Sequence, residues 1–168
     1  MRLRPYQETD FEKIKTWVDD ERTHAMWCAN LIHFPLEKNN FEKVLQAGAE
    51  RLGEIPLIAE TEEGETAGLI CYSLNQETKT GMLRFVVLDP ALRGKGYGRE
   101  MVSLAAQYGF EKTNAEAVRL VVFSENTRAK ACYLSAGFIE QDTTENAFHY
   151  KDEMWGRCNM VKEGKMQK

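Results

Sequence analysis

Long apolar runs are missing from this 168-residue chain: no segment approaches the roughly 18 consecutive apolar residues of a membrane span. The first residues, Met1-Arg2-Leu3-Arg4-Pro5-Tyr6, lack the apolar stretch of a secretory leader. No membrane association is expected, and a cytoplasmic location is. A surplus of basic charge is missing too. Lys and Arg number 22 against 26 Asp and Glu, a net charge of −4. A dedicated nucleic-acid binder would carry a basic footprint instead. Cysteine pairs are absent: Cys28, Cys71, Cys132 and Cys158 lie far apart, with no C-x-x-C among them. That spacing fits buried thiols in a reducing compartment rather than a disulfide framework or a zinc ribbon. His24, Cys28 and His33 form the one cluster of metal-ligand type. It lacks a fourth ligand, so no metal site is expected.

What remains is the composition of an ordinary globular protein, 43% apolar and 29% charged. The length fits a single domain over residues 1–168. A chain of this size buries about two thirds of its unfolded surface, enough for a core without disulfides or metal.

The periodicity predicts a first strand at residues 2–6 and a helix after Thr9 or Asp10, carrying Phe11, Ile14 and Val18. His24 to Phe34 reads as irregular. A second helix, with Phe41, Val44 and Leu45, follows Pro35 and ends near Gly48. Ile55–Thr61 and Thr66–Leu74 flank Glu62-Glu63-Gly64-Glu65, a hairpin signature, and Met82–Leu88 forms a third run. Arg99–Thr113 and Asn126–Ala136 are helical patterns separated by the strand Val118–Phe123, and Phe138–Thr144 and Met154–Val161 close the list of strands. Hairpins plus one β-α-β crossover imply a mixed sheet with helices on its faces, an α/β (α+β) domain.

The sharpest local feature joins an apolar strand to an amphipathic helix: Val86-Val87-Leu88-Asp89-Pro90-Ala91-Leu92-Arg93-Gly94-Lys95-Gly96-Tyr97-Gly98. Glycine lets the backbone approach a ligand and adopt positive φ. The first amides of the helix lack intrahelical acceptors, and the helix dipole favours an anion there. Arg93, Lys95 and Arg99 add positive charge. The loop reads as a phosphate or pyrophosphate cradle. It is not a Walker A loop, and its third glycine falls one residue early for a dinucleotide fingerprint. A tight turn with solvated basic residues is the structural alternative.

Arg93-x-x-Gly96-x-Gly98 is followed by Asn126-x-x-Ala129-x-x-x-Tyr133-x-x-x-Gly137-Phe138. This ordered pair of motifs, within residues 82–138, resembles the GNAT superfamily of acyl-CoA-dependent N-acetyltransferases. The resemblance implies a GNAT-like mixed, splayed β-sheet flanked by about four helices, with acetyl-CoA as cosubstrate. Val86, Val87 and Leu88 would then present main-chain groups to the pantetheine arm. Arg93, Gly94, Lys95, Gly96, Tyr97 and Gly98 would wrap the pyrophosphate. Asn126 would contact the CoA arm, and Tyr133 would protonate the leaving thiolate. From the residues alone, Asn126 reads equally as a helix N-cap and Tyr133 as a core tyrosine in the stripe Ala129, Cys132, Tyr133, Ala136.

The expected reaction is acetyl transfer to a primary amine by direct attack. The alternative is a non-catalytic acyl-CoA-binding module on the same fold. Many members of the family place a glutamate base near the central strands, but Val118–Phe123 has no acid and Met82–Leu88 offers only Arg84. Glu60, Glu62, Glu125 and His149 remain as candidates. Without a base, a low-pKa amine is favoured: an α-amine lies about 2.5 units below a lysine, worth roughly 3.4 kcal/mol. Trp27, Phe34, Phe148, Tyr150 and Trp155 are aromatic candidates for an acceptor wall, and Asp152 and Glu153 could attract a cation. The N-terminal half resembles the branch that includes ribosomal-protein N-terminal acetyltransferases. Expected partners are therefore a small-molecule amine or a protein N-terminus, and a second copy in a homodimer.

Overall fold

A computed structural model describes residues 1–165. Strand β1 (Arg2–Pro5) leads through a 3-10 turn (Glu8–Asp10) into α1 (Phe11–Trp17), whose buried face carries Phe11, Ile14 and Trp17. The Asp10 carboxylate accepts the Gln7 amide at 2.8 Å and a two-pronged contact from Arg4 at 2.7 and 2.9 Å. Arg4 also reaches Glu60, which ties β1, the turn and the next strand together.

The segment read as irregular is partly a helix, α2 (Glu21–Cys28). Asp20 caps it by accepting the Thr23 amide, and Ala29 ends it in the left-handed region at φ 52°. Its buried face is His24, Ala25 and Cys28. A histidine on that face interrupts the apolar stripe, which hides the helix from a hydrophobic reading. The described residues therefore form five α-helices, against the expectation of about four. Helix α3 (Lys38–Leu52) also runs a turn past Gly48, to a C-cap at Gly53 with φ 64°. Gly48 serves close approach instead: a Cβ there would collide with the Glu54 carboxylate.

The rest follows the expected order: β2 (Ile55–Glu60), β3 (Thr66–Asn75), β4 (Thr80–Leu88), α4 (Tyr97–Lys112), β5 (Ala117–Phe123), α5 (Thr127–Ser135), β6 (Ile139–Tyr150) and β7 (Glu153–Glu163). They form one seven-stranded sheet, ordered β1-β2-β3-β4-β5-β7-β6. Every neighbouring pair is antiparallel except β4 and β5, which the α4 crossover makes parallel. On one face α4 and α5 cover Tyr72, Leu83, Val118, Leu120 and Met160. On the other, α1 and α3 cover Ile58, Leu69, Cys71 and Val87.

The central pair positions the site. β4 and β5 pair only from Thr80↔Ala117 to Leu83↔Leu120, although β4 runs on to Leu88 and β5 to Phe123. The divergence begins at a bulge. Against β3, Cys71 faces Arg84 but Leu69 faces Val87, so Phe85 and Val86 together oppose Ile70. Phe85 takes φ 53°, an unusual conformation for an aromatic residue. A bulge bends its strand and increases its twist, here carrying β4 away from β5.

Candidate active site

The glycine loop earns its glycines in two ways. Gly94 and Gly96 have φ 79° and 85°, and a Cβ on either would meet nothing within 4 Å. These two positions need the left-handed backbone rather than space. Gly98 needs space: its Cβ would lie 3.1 Å from Cys132 Sγ on α5. Its absence lets α4 and α5 close together beside the loop. Asp89 opens the turn by accepting the Ala91 amide at 2.9 Å. No side chain caps α4, so the first amides of this sixteen-residue helix keep their capacity for an outside acceptor.

The loop borders a cleft of about 740 Å³ running down between α4, α5, the end of β4 and α2. Val86, Val87, Leu88, Arg93, Gly94, Gly96, Gly98, Asn126 and Tyr133 all line it. Lys95 and Tyr97 do not; Lys95 is exposed in the turn and Tyr97 opens α4. Arg99 and Arg128 line the cleft as well, and Arg128 has no signal in the loop motif. Burial and then the neighbouring Arg128 charge pull the Arg93 guanidinium below its ordinary value. Two like charges held this close, with no carboxylate lining the cleft, form a site that favours an anion.

The strand end contributes polar main chain. The Asp89 amide bonds to the Ala67 carbonyl on β3 at 2.8 Å. Alternation along a strand then turns Val87 toward β3 and leaves the amides and carbonyls of Leu88 and Val86 facing the gap. The splay has removed the β5 partner they would otherwise have.

Asn126 is the N-cap of α5, its carboxamide accepting the Ala129 amide at 3.3 Å, and it also borders the cleft. Tyr133 likewise belongs to both readings. It is buried, with its ring 6.4 Å from that of Phe138, and it lines the cleft. Burial pushes its phenol above the ordinary 10, and no hydrogen bond to another described residue opposes that shift.

A second cleft, about 240 Å³, opens where β4 and β5 part. It meets the first at Met26, Trp27, Val86, Asn126, Ala129 and Tyr133, which line both. Trp27 thus stands at the junction, its ring 5.9 Å from that of Phe85. The other aromatic candidates do not reach the clefts. Phe148 and Tyr150 stack on Trp155, which meets Phe123 edge-on in a cluster beneath α2, and Phe34 packs on His24 at 5.2 Å.

None of the carboxylate or histidine candidates lines either cleft. Glu60 pairs with Arg2 and Arg4, Glu62 lies in the β2–β3 turn, Glu125 accepts the Gly156 amide, and His149 lies on β6. Asp152 is exposed in the β6–β7 turn, and Glu153 is paired with Arg22 at 3.1 Å. His24 and Cys28 are buried neighbours, Sγ 3.6 Å from Nδ1, and the described residues hold no group of three metal-ligand side chains. Burial lowers the pKa of His24 and raises that of the Cys28 thiol, so both stay neutral.

The sheet topology and the paired clefts define a class, and the sequence comparison agrees with it. The profile of the acetyltransferase (GNAT) family matches residues 6–138, so the chain belongs to that family and is an N-acetyltransferase. The SPbeta prophage-derived N-acetyltransferase YokL of Bacillus subtilis is 25% identical over 125 residues, 74% of this chain and 68% of its own. The spermidine N(1)-acetyltransferase of Escherichia coli K12 is 24% identical over 140 residues, 82% of this chain and 72% of its own. Among solved structures, the spermidine N-acetyltransferase of Vibrio cholerae in complex with CoA and spermine shares the fold. Its TM-score is 0.78 at 20% identity, covering 95% of this chain and 92% of that one.

Proposed function

We propose that the protein moves the acetyl group of acetyl-CoA onto the primary amine of a small molecule. One observation carries this reading: an anion-favouring cleft and a second cleft meet at Val86, Asn126 and Tyr133. A donor in the first and an acceptor in the second would have their reacting atoms at that junction. The α4 amides with Arg93, Arg99 and Arg128 would hold the pyrophosphate, joined by Gly94, Gly96 and Gly98. The free main chain of Val86 and Leu88 would line up the pantetheine amides, and Asn126 would contact the arm. Lys95 and Tyr97, outside the cleft, would act only through the shape of the turn.

In the reaction, the amine nitrogen attacks the thioester carbonyl carbon. The developing oxyanion takes a hydrogen bond from a main-chain amide, for which Val86 is the group at hand. The C–S bond then breaks, and the Tyr133 hydroxyl donates to the thiolate as charge collects on sulfur. The proton lost by the nitrogen leaves to water, since no side-chain base lines the clefts. The spermidine acetyltransferases among the relatives support a small-molecule amine as acceptor, and their low identity leaves its structure open.

The test is thiol release from acetyl-CoA across a panel of primary amines, with calorimetric titration of acetyl-CoA alongside. Amine-dependent release well above background hydrolysis is expected. Tight binding of acetyl-CoA with no release for any amine would make the chain an acyl-CoA-binding module instead.

A further inference from the structure

Granted acetyl transfer at the junction, the smaller cleft carries information about the acceptor. Its walls are mostly apolar: Trp27, Phe85 and Phe123 inside, with Leu31 and Val121 at 59% and 37% exposure near the mouth. Only two charged side chains line it, Arg84 and Arg157, and both are cations. Not one of the chain's 26 acids does, in a protein whose net charge is −4. This is the reverse of what a polycationic acceptor needs.

The two arginines differ. Arg84 is neutralised by Glu54, which accepts from it at 2.7 and 2.9 Å and is itself 99% buried, its side chain showing 1% exposure. Arg84 also lies 4.6 Å over the Phe85 ring, so its charge is spent within the fold. Arg157 lies on β7 opposite Phe123 of β5, and its side chain makes no ion pair or hydrogen bond with any described residue. It presents an exposed guanidinium at an apolar cleft. A planar fork with unsatisfied donors is suited to two-pronged contact with a carboxylate or phosphate.

We propose that the acceptor is a primary amine with an apolar body and an anionic group, held by Arg157 while the amine reaches Tyr133 and Val86.

Matched amines test this by thiol release. Leucine is set against 3-methylbutylamine, which lacks its carboxylate, and phosphoethanolamine against ethanolamine, with spermidine as the polycation. With kcat/KM referred to the fraction of neutral amine, the wild type should favour the anionic member of at least one pair by about tenfold, the low end for a charge-assisted hydrogen bond. Which pair shows it distinguishes carboxylate from phosphate. In Arg157→Ala that ratio should fall to within about twofold, and in Arg157→Lys it should fall only part way. A ratio unchanged in Arg157→Ala, with both members slowed alike, would reduce Arg157 to a structural role and overturn the proposal. A wild-type preference for spermidine over every anionic amine would overturn it too, while leaving acetyl transfer intact. No thiol release with any amine would overturn acetyl transfer itself.

Discussion

Replacing Tyr133 by phenylalanine separates its packing role from the proton-donor role proposed for it. The ring stays in the α5 stripe against Phe138, and only the hydroxyl is lost. Because no described group bonds that hydroxyl, folding should barely notice: a melting temperature within about 1 °C of wild type is expected. The kinetic effect follows from relative acidity. A simple thiol has a pKa of about 8.5, and burial holds the Tyr133 phenol above 10. Complete proton transfer to the thiolate is then uphill by at least about 1.5 units, or roughly 2 kcal/mol. In the proposed mechanism the hydroxyl would therefore assist mainly as a donor to the developing thiolate. A hydrogen bond to a charged group contributes about 1.5–3 kcal/mol, so kcat should fall about 10- to 150-fold. That lies at the low end of general acid catalysis, typically about 10² to 10⁴. Acetyl-CoA affinity should stay within about twofold, since the hydroxyl counts only once charge appears. The phenol stays protonated through pH 10, so the wild-type rate should show no falling limb below that pH. The assay is single-turnover thiol release, which isolates the chemical step. Turnover within twofold of wild type would leave Tyr133 as packing and make water the proton donor.

Two further outcomes follow from the charges. Arg93→Ala with Arg128→Ala should weaken CoA binding at least about tenfold and flatten its salt dependence, while Lys95→Ala should leave affinity within about twofold. Calorimetry with CoA and with a pantetheine fragment lacking the pyrophosphate decides it, because equal loss for the fragment would place the pyrophosphate elsewhere. The Asp10 carboxyl is pushed up by burial, but hydrogen bonds from Arg4, the Gln7 amide and Thr66 outweigh this and hold it below the ordinary range. Its contribution to stability is then present above the unfolded value of about 3.9 and is lost as pH falls through the depressed folded value. Melting temperature against pH should therefore drop below about pH 4 in the wild type and less steeply in Asp10→Asn. Parallel curves would remove Asp10 from the acid response.

Most of the architecture is legible because its signals are local. The hairpin at Glu62–Glu65 and the strand-loop-helix of the crossover each announce themselves within a dozen residues. Where the reading fails, distant partners set the local structure. Helix α2 hides because its inner face includes His24, a polar residue accepted there by Phe34, Trp27 and Cys28. β6 continues from Thr144 to Tyr150 through a polar stretch because it lies on the sheet edge, exposed on both faces for most of its length. Such a strand has no inside to mark by alternation. Gly48 resembles a helix stop only until the carboxylate of Glu54 is seen against it.

The site divides in the same way. The glycine loop is readable because positive φ and helix capping are properties of a few consecutive residues. Arg128 reaches the same cleft from α5, which depends on Gly98 admitting Cys132, a contact across thirty-four positions of sequence. Arg157 arrives from β7 through its pairing with Phe123. The opening itself has the least legible cause. It rests on Phe85 holding φ 53°, which costs free energy and persists only where the surroundings impose it. Trp27 meets the Phe85 ring on one side, and Arg84, fixed by Glu54, lies over it. Those contacts also set the chemistry of the smaller cleft, since Trp27 stands at the junction and Glu54 cancels one of the two cations. The residues that hold the strands apart are thus among those that decide what can enter between them.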